Sequence, residues 1–145
     1  MISTNTVEQP SNTIVSGMDI GYQDLEELRA KARIPVMGGT AGDVLEVLQQ
    51  RIGKKPLGIS DVARDMQLSK RTLQRHLQQQ MVSYAALRDR VRFNRAFDCL
   101  LIENMSIEQT SKHLDFSDRT SFTNAFKRWA NLSPSAFRKL YRDYI

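Results

Sequence analysis

Apolar residues recur along this chain at helical spacing, in short runs separated by one or two polar residues. In Ile59-Ser-Asp-Val-Ala-Arg-Asp-Met-Gln-Leu-Ser-Lys-Arg-Thr-Leu-Gln-Arg-His-Leu77, Val62, Ala63 and Met66 share a helix face. After a break, Leu73 and Leu77 mark the inner stripe of a second short helix. Ser60 and Ser69 are of the type that caps helix N-termini, so the predicted starts fall on them. Ala63 is small enough for the two helices to cross closely, and the pattern reads as a helix-turn-helix.

The same pattern returns at an offset of 48. Ile107-Glu-Gln-Thr-Ser-Lys-His-Leu-Asp-Phe-Ser-Asp-Arg-Thr120 repeats Ile, Ser, Arg and Thr at matching places, and Phe116 stands for Leu68. One extra residue follows, and Phe122 and Phe126 then take the positions of Leu73 and Leu77. Between the two units, Ser83 caps a predicted helix over 84–102, with Tyr84, Leu87, Val91, Ala96, Leu100 and Leu101 inward and Phe97 and Cys99 nearby. Its length, about 27 Å, is of the order of one DNA turn, about 34 Å. Ahead of the first unit, apolar positions 44, 45, 47, 48 and 52 predict an amphipathic helix ended by Gly53. Ser133 and Pro134 start a closing helix that packs Phe137, Leu140 and Tyr141 on the second unit.

The N-terminal segment is patterned differently. Residues 1–18 are polar and read as a mobile tail. A helix at about 19–33 can place Tyr22, Leu25 and Leu28 on one face, with acidic residues early and basic ones late, before Pro35 and Gly38-Gly39 mark a linker. The expected organisation is a flexible extension over 1–39 and a compact domain over 40–145. Within that domain the first unit covers about 59–80, the linker helix 84–102 and the second unit 106–128. The short helix is open to two readings, a docking element or an inert remnant.

The formal net charge of +5 sharpens this division. Residues 1–39 hold 3 basic and 5 acidic side chains, whereas 40–145 hold 18 and 11. Basic charge therefore accompanies the tandem motif, as a nucleic-acid partner requires. No apolar run approaches the roughly 20 residues of a membrane span, so no membrane partner is expected. No basic-then-apolar leader is present. Cys99 is the sole cysteine, which excludes an intrachain disulfide and makes a cytoplasmic, nucleoid-associated protein the default.

With these residues in view, the chain resembles the AraC/XylS-type transcription regulators over about 40–138. The most specific matches are Phe116-Ser-Asp-Arg-Thr-Ser-Phe122, Phe126-Lys-Arg-Trp129, Ser133-Pro-Ser-Ala-Phe-Arg138 and the Arg-x-x-x-Ala segment in Val91-Arg-Phe-Asn-Arg-Ala96. The resemblance implies an all-α fold of about seven helices in two helix-turn-helix subdomains bridged by the long helix, here with an N-terminal helical extension. It also implies that each recognition helix enters one of two successive major-groove segments, and that the protein activates transcription through RNA polymerase. Departures from the family pattern are Gln67, Asp115 and Asn131 where glycine is usual, and Thr110 and Ser111 where small or apolar residues are usual. Asp115 and Asn131 suit a left-handed turn; Gln67 suits it less, which predicts a wider or strained first turn. Thr110 and Ser111 weaken the core unless their hydroxyls bond back to helix carbonyls.

Candidate chemistry follows from the outward faces. The first recognition helix presents Lys70, Arg71, Gln74 and Arg75, with Arg75 suited to guanine O6 and N7 and Gln74 to adenine. The second presents Arg119, Thr120, Thr123 and Asn124, a less basic set, so the first unit is expected to discriminate more. Arg92 and Lys127 are candidate phosphate contacts; the series Arg88, Arg90, Arg92 and Arg95 either contacts the backbone or solvates the linker helix. His76 and His113 lack partners at metal spacing, Cys99 lacks a neighbouring base, and no phosphate loop occurs. No enzyme, metal or cofactor is therefore expected. The expected partner is double-stranded DNA, on an asymmetric site of about 20 base pairs, without a small-molecule effector domain in this chain. A protein-interaction module derived from such a regulator is the competing reading, kept open by Asp115, Asp118 and Asn124.

Overall fold

In the computed structural model the backbone is described for residues 17–144 and side chains for 24–144; the predicted tail falls almost wholly outside this range. All regular structure among the described residues is helical. The helices are α1 (Gly17–Ala32), α2 (Gly39–Arg51), α3 (Ile59–Asp65), α4 (Lys70–Gln79), α5 (Tyr84–Phe97), α6 (Ile107–His113), α7 (Arg119–Ala130) and α8 (Pro134–Tyr141). A π-helical turn, Asp98–Ile102, continues α5, so the rod spans 84–102 but changes winding after Phe97. It closes with the Glu103 N–H on the Asp98 carbonyl, after which Asn104 turns the chain in a left-handed conformation.

Two cores lie along the rod. Ala41, Val44, Leu45, Leu48, Leu57, Val62, Ala63, Leu73 and Leu77 pack on Tyr84, Leu87 and Val91. Ile107, Leu114, Phe122, Phe126, Ala130, Phe137 and Tyr141 pack on Phe93, Ala96, Phe97, Leu100 and Leu101. The first core is chiefly aliphatic. The second holds all six phenylalanines, with edge-on contacts such as Phe97–Phe137 and Phe126–Phe137 at 5.0 and 5.1 Å between centroids. One helix thus supplies half a core to each unit, and Arg92 sits at the changeover.

The tandem repeat is literal at the turns. In the first unit Gln67 N–H bonds Arg64 O and Leu68 N–H bonds Ala63 O; 48 residues on, Asp115 N–H bonds Lys112 O and Phe116 N–H bonds Ser111 O. Gln67 adopts φ 60° and Asp115 φ 63°. The predicted widening at Gln67 does not occur: the turn closes with the same bonds as its partner, and a left-handed glutamine is accepted at a modest steric cost. Thr110 Oγ1 bonds back to Ser106 O, and Ser111 Oγ donates to Asp118 O across the turn. Both hydroxyls are satisfied where they are buried.

Several local expectations are corrected. Ser60 does not cap α3: the helix starts at Ile59 behind Gly58, whose carbonyl accepts from Val62 N–H. Leu140 is 52% exposed on the outer side of α8, while Phe137 and Tyr141, four residues apart, occupy the inner side. The core also reaches back into the segment read as an extension. Leu25 and Ala32 of α1 are buried in the second core and Leu28 packs against it. Ser69, Ser83 and Ser133 cap their helices as predicted, each accepting a backbone N–H three residues on.

Candidate nucleic-acid interface

The first recognition helix, α4, is held by its inner stripe, since Leu73 and Leu77 are buried. Ser69 Oγ accepts from Thr72 N–H at 3.0 Å and fixes its start. With those residues inward, Lys70, Arg71, Gln74 and Arg75 are exposed together on the outer face. They form one wall of a cleft of about 830 Å³, whose other wall is the start of α5, with Ser83, Tyr84, Ala85 and Arg88. Lys70, Arg71, Arg75 and Arg88 give this cleft four cations and no carboxylate. Arg88 Nε is buried there without a hydrogen-bond partner, and its guanidinium lies 6.0 Å from the Tyr84 ring centroid. Tyr84 anchors the wall: its hydroxyl donates to Leu57 O at 2.6 Å, and burial pushes its pKa up to about 12.

The second recognition helix, α7, is built the same way with different caps. Asp118 Oδ1 accepts from Ser121 N–H at 2.7 Å, a bond that holds the carboxyl below its usual range and keeps it ionised. Phe122, Ala125, Phe126 and Ala130 are buried, leaving Arg119, Thr120, Asn124 and Lys127 exposed and Thr123 half-buried. Asn131 ends the helix at φ 61°.

The two units are tied to each other. Asp115 Oδ2, at the turn of the second unit, accepts from Leu57 N–H of the first at 2.8 Å. His113 lies against Gly53, where a Cβ would come within 2.4 Å of the ring, and Gly53 itself has φ +82°. Arg95 donates through Nε to His113 Nε2 and reaches Glu103 with both terminal nitrogens. As an acceptor at Nε2 the imidazole is neutral, in keeping with the burial that lowers its pKa.

Arg92 is a correction. It was a candidate phosphate contact, but it is only 6% exposed and its guanidinium is engaged inside the protein. It donates to Leu114 O at 2.8 Å and Asp115 O at 2.5 Å, and lies 4.0 Å over the Phe116 ring. Burial lowers its pKa to about 10, which leaves it cationic at neutral pH. Arg92 therefore struts the rod against the second turn, and Arg95 is likewise engaged. Of that series, Arg88 faces the cleft, and Arg90 is exposed with Nε on Arg33 O.

A family profile described as a helix-turn-helix domain matches residues 62–140, from the middle of α3 into α8. The chain belongs to this AraC-type family. The urease operon transcriptional activator of Escherichia coli is 35% identical over 85 residues, covering 59% of this chain and 29% of that protein. The ornithine utilization regulator of Pseudomonas aeruginosa is 30% identical over 108 residues, covering 74% and 32%. The chain thus spans about a quarter to a third of the curated relatives it matches. Among solved structures, the transcriptional regulator CdpR of P. aeruginosa is 32% identical with a TM-score of 0.64 over 71% of this chain and 32% of that one. A DNA-binding transcriptional dual regulator of E. coli K-12, at 18% identity, shares the fold with a TM-score of 0.63 over 71% of this chain and 98% of that one.

This AraC-type domain uses residues that sequence reasoning passed over. Arg51 is buried, paired with Asp65 at 2.7 Å and bonded to Pro56 O, and so fastens the end of α2 to α3. Arg138 bonds Leu100 O and Met105 O and joins α8 to the end of the rod. Arg51 had no distinguishing signal beyond its place beside a helix end, whereas Arg138 closes the Ser133–Arg138 segment but was given no role. Cys99 is buried with its pKa raised to about 11 by burial, which suits a packed thiol rather than a nucleophile.

Proposed function

We propose that this chain is a sequence-specific, DNA-binding transcription regulator that lays α4 and α7 into two successive major-groove segments of an asymmetric promoter site. The observation that carries the reading is the pair of exposed polar helix faces held in fixed relation by Asp115–Leu57 and Arg92. Two different units on one chain read two different half-sites, so the site has no need of palindromic symmetry. Lys70, Arg71, Gln74 and Arg75 supply most of the discrimination. Arg119, Thr120, Thr123 and Asn124 read the second segment, with Lys127 and Arg88 on phosphates. By analogy with the urease operon transcriptional activator the chain activates transcription; the family resemblance suggests RNA polymerase as its protein partner, and a DNA target suggests the bacterial cytoplasm, at the nucleoid, as its location. Residues 1–39 then form an extension whose helix α1 docks on a DNA-binding domain over 40–145.

The competing interaction-module reading loses two of its supports, because Asp118 is engaged as a helix cap and Asp115 in the bond between units. Selection of bound duplexes from random sequence at two salt concentrations tests the proposal. A bipartite motif is expected, and Arg75→Ala should cost about 1–3 kcal/mol on the selected site while Asn124→Ala costs less. No enriched motif, with binding that only falls steeply with salt, would reject it.

A further inference from the structure

The two recognition helices are seated differently along one flank. Past the turn the repeat runs at an offset of 49, which pairs Leu73 with Phe122, Leu77 with Phe126, His76 with Ala125 and Gln80 with Trp129. In the second unit the last two positions are apolar: Ala125 is 2% exposed, and Trp129 packs on the second core with its ring 5.4 Å from that of Phe93. In the first unit they are polar, and only Leu73 and Leu77 of the ten residues of α4 are buried. A stripe of two leucines resists withdrawal of a helix better than it resists rolling. At a radius of about 5–6 Å, a roll of about 10° carries a side-chain tip about 1 Å, twice the spread of about 0.5 Å in good N–H···O distances. Two-bond reading of a guanine by Arg75 therefore needs the roll of α4 to be fixed.

Gln80, at the end of α4, supplies the missing hold. Its Nε2 donates to Gly38 O at 2.9 Å, and its Oε1 accepts from Ala41 N–H at 2.7 Å. One turn back, His76 Nδ1 lies 3.4 Å from Thr40 Oγ1. The receiving backbone is itself closed, because Gly38 O also accepts from Gly42 N–H. Gly39, at φ +63°, presents a bare Cα to the amide, where a Cβ would come within 3.2 Å of it. Gly38 has no side chain to cap α2, and the Gln80 carbonyl fills that place from another helix. We propose that Gln80 is a positioning residue for base recognition, setting the roll of α4 through its two-bond clasp on residues 38–41. It acts through Gln74 and Arg75 on the outer face, and so rests on the regulator reading above. The clasp requires an amide, which donates and accepts at once; an ionised glutamate only accepts, and alanine does neither.

The test compares the duplex selected by the wild-type chain with duplexes changed at one base pair in either half-site. Anisotropy titrations at one salt concentration give each affinity ratio, in which any general change in phosphate attraction cancels. Gln80→Ala should lower discrimination in the half read by α4 about three- to tenfold and leave the other half within about twofold. Gln80→Glu separates positioning from capping. It keeps the acceptor for Ala41 N–H at a helix N-terminus that favours negative charge, so the melting temperature should stay near wild type. Discrimination by α4 should still fall, since a single bond leaves the helix free to swing about it. Wild-type discrimination in Gln80→Ala, or an equal loss in both halves, would overturn the assignment. So would full discrimination in Gln80→Glu, which would leave Gln80 as a cap of α2 alone. Absence of base discrimination in the wild-type chain would instead reject the regulator reading, and this assignment with it.

Discussion

At the scale of single residues, two side chains show how little of an arginine or a histidine is decided by its neighbours in sequence. Arg92 stands in a series with Arg88, Arg90 and Arg95, all of which read as solvated or phosphate-facing. Only packing separates them, because Arg92 alone meets two outward carbonyls and the Phe116 ring at the second turn. Arg92→Ala should destabilise the fold by about 2–4 kcal/mol, since it leaves buried acceptors without a donor. Arg92→Lys should recover little, as an ammonium cannot bond both carbonyls and stack on the ring. Urea denaturation checks both, and the salt slope of DNA binding should stay unchanged. His113 and Gly53 form the other case. Gly53→Ala suffers the left-handed backbone and a collision with the imidazole, together about 2–4 kcal/mol. In a His113→Ala background only the backbone part, about 1 kcal/mol, should remain. A double-mutant cycle measures that difference, and additive penalties would dismiss the collision.

At the scale of elements, the helix-turn-helix pairs were legible because each turn must bury the same few positions, and the 48-residue offset preserved them. Apolar spacing located α2 and α4 to α8 to within a few residues. What it could not show was destination: the stripe on α1 marked a helix but named no surface to receive it. In the structure Leu25 is 2% exposed and sits with Ala32 in the aromatic core of the second unit. Leu25→Ala should therefore cost about 2–4 kcal/mol. The loss should be visible in the melting of the Trp129 signal, since Leu25 and Trp129 contact the same core. A loss near zero would mean that α1 rests on the domain without supporting it. The winding change after Phe97 was equally illegible, because residues 98–102 keep the apolar spacing of a helix while their hydrogen bonds lengthen by one residue.

At the scale of the whole molecule, reading two groove segments requires that α4 and α7 keep their spacing, and the bond from Leu57 N–H to Asp115 Oδ2 is the shortest direct tie between the units. Inserting one base pair between the two half-sites displaces them by about 3.4 Å and rotates them by about 34°. A rigid pair of units cannot follow, so the wild-type domain should bind the lengthened site much more weakly than the selected one. Asp115→Asn is the informative substitution. Asparagine tolerates the φ of 63° that this turn requires, but its neutral oxygen accepts a weaker bond than the carboxylate. Removing the charge also lessens repulsion of phosphate, which strengthens binding to any duplex; the ratio of affinities for the two sites cancels that effect. If the bond sets the spacing, Asp115→Asn should lower this ratio about three- to tenfold, read by anisotropy titrations of both duplexes at one salt concentration. An unchanged ratio would assign the spacing to Arg92 and the rod, whose contacts with both units the substitution leaves in place.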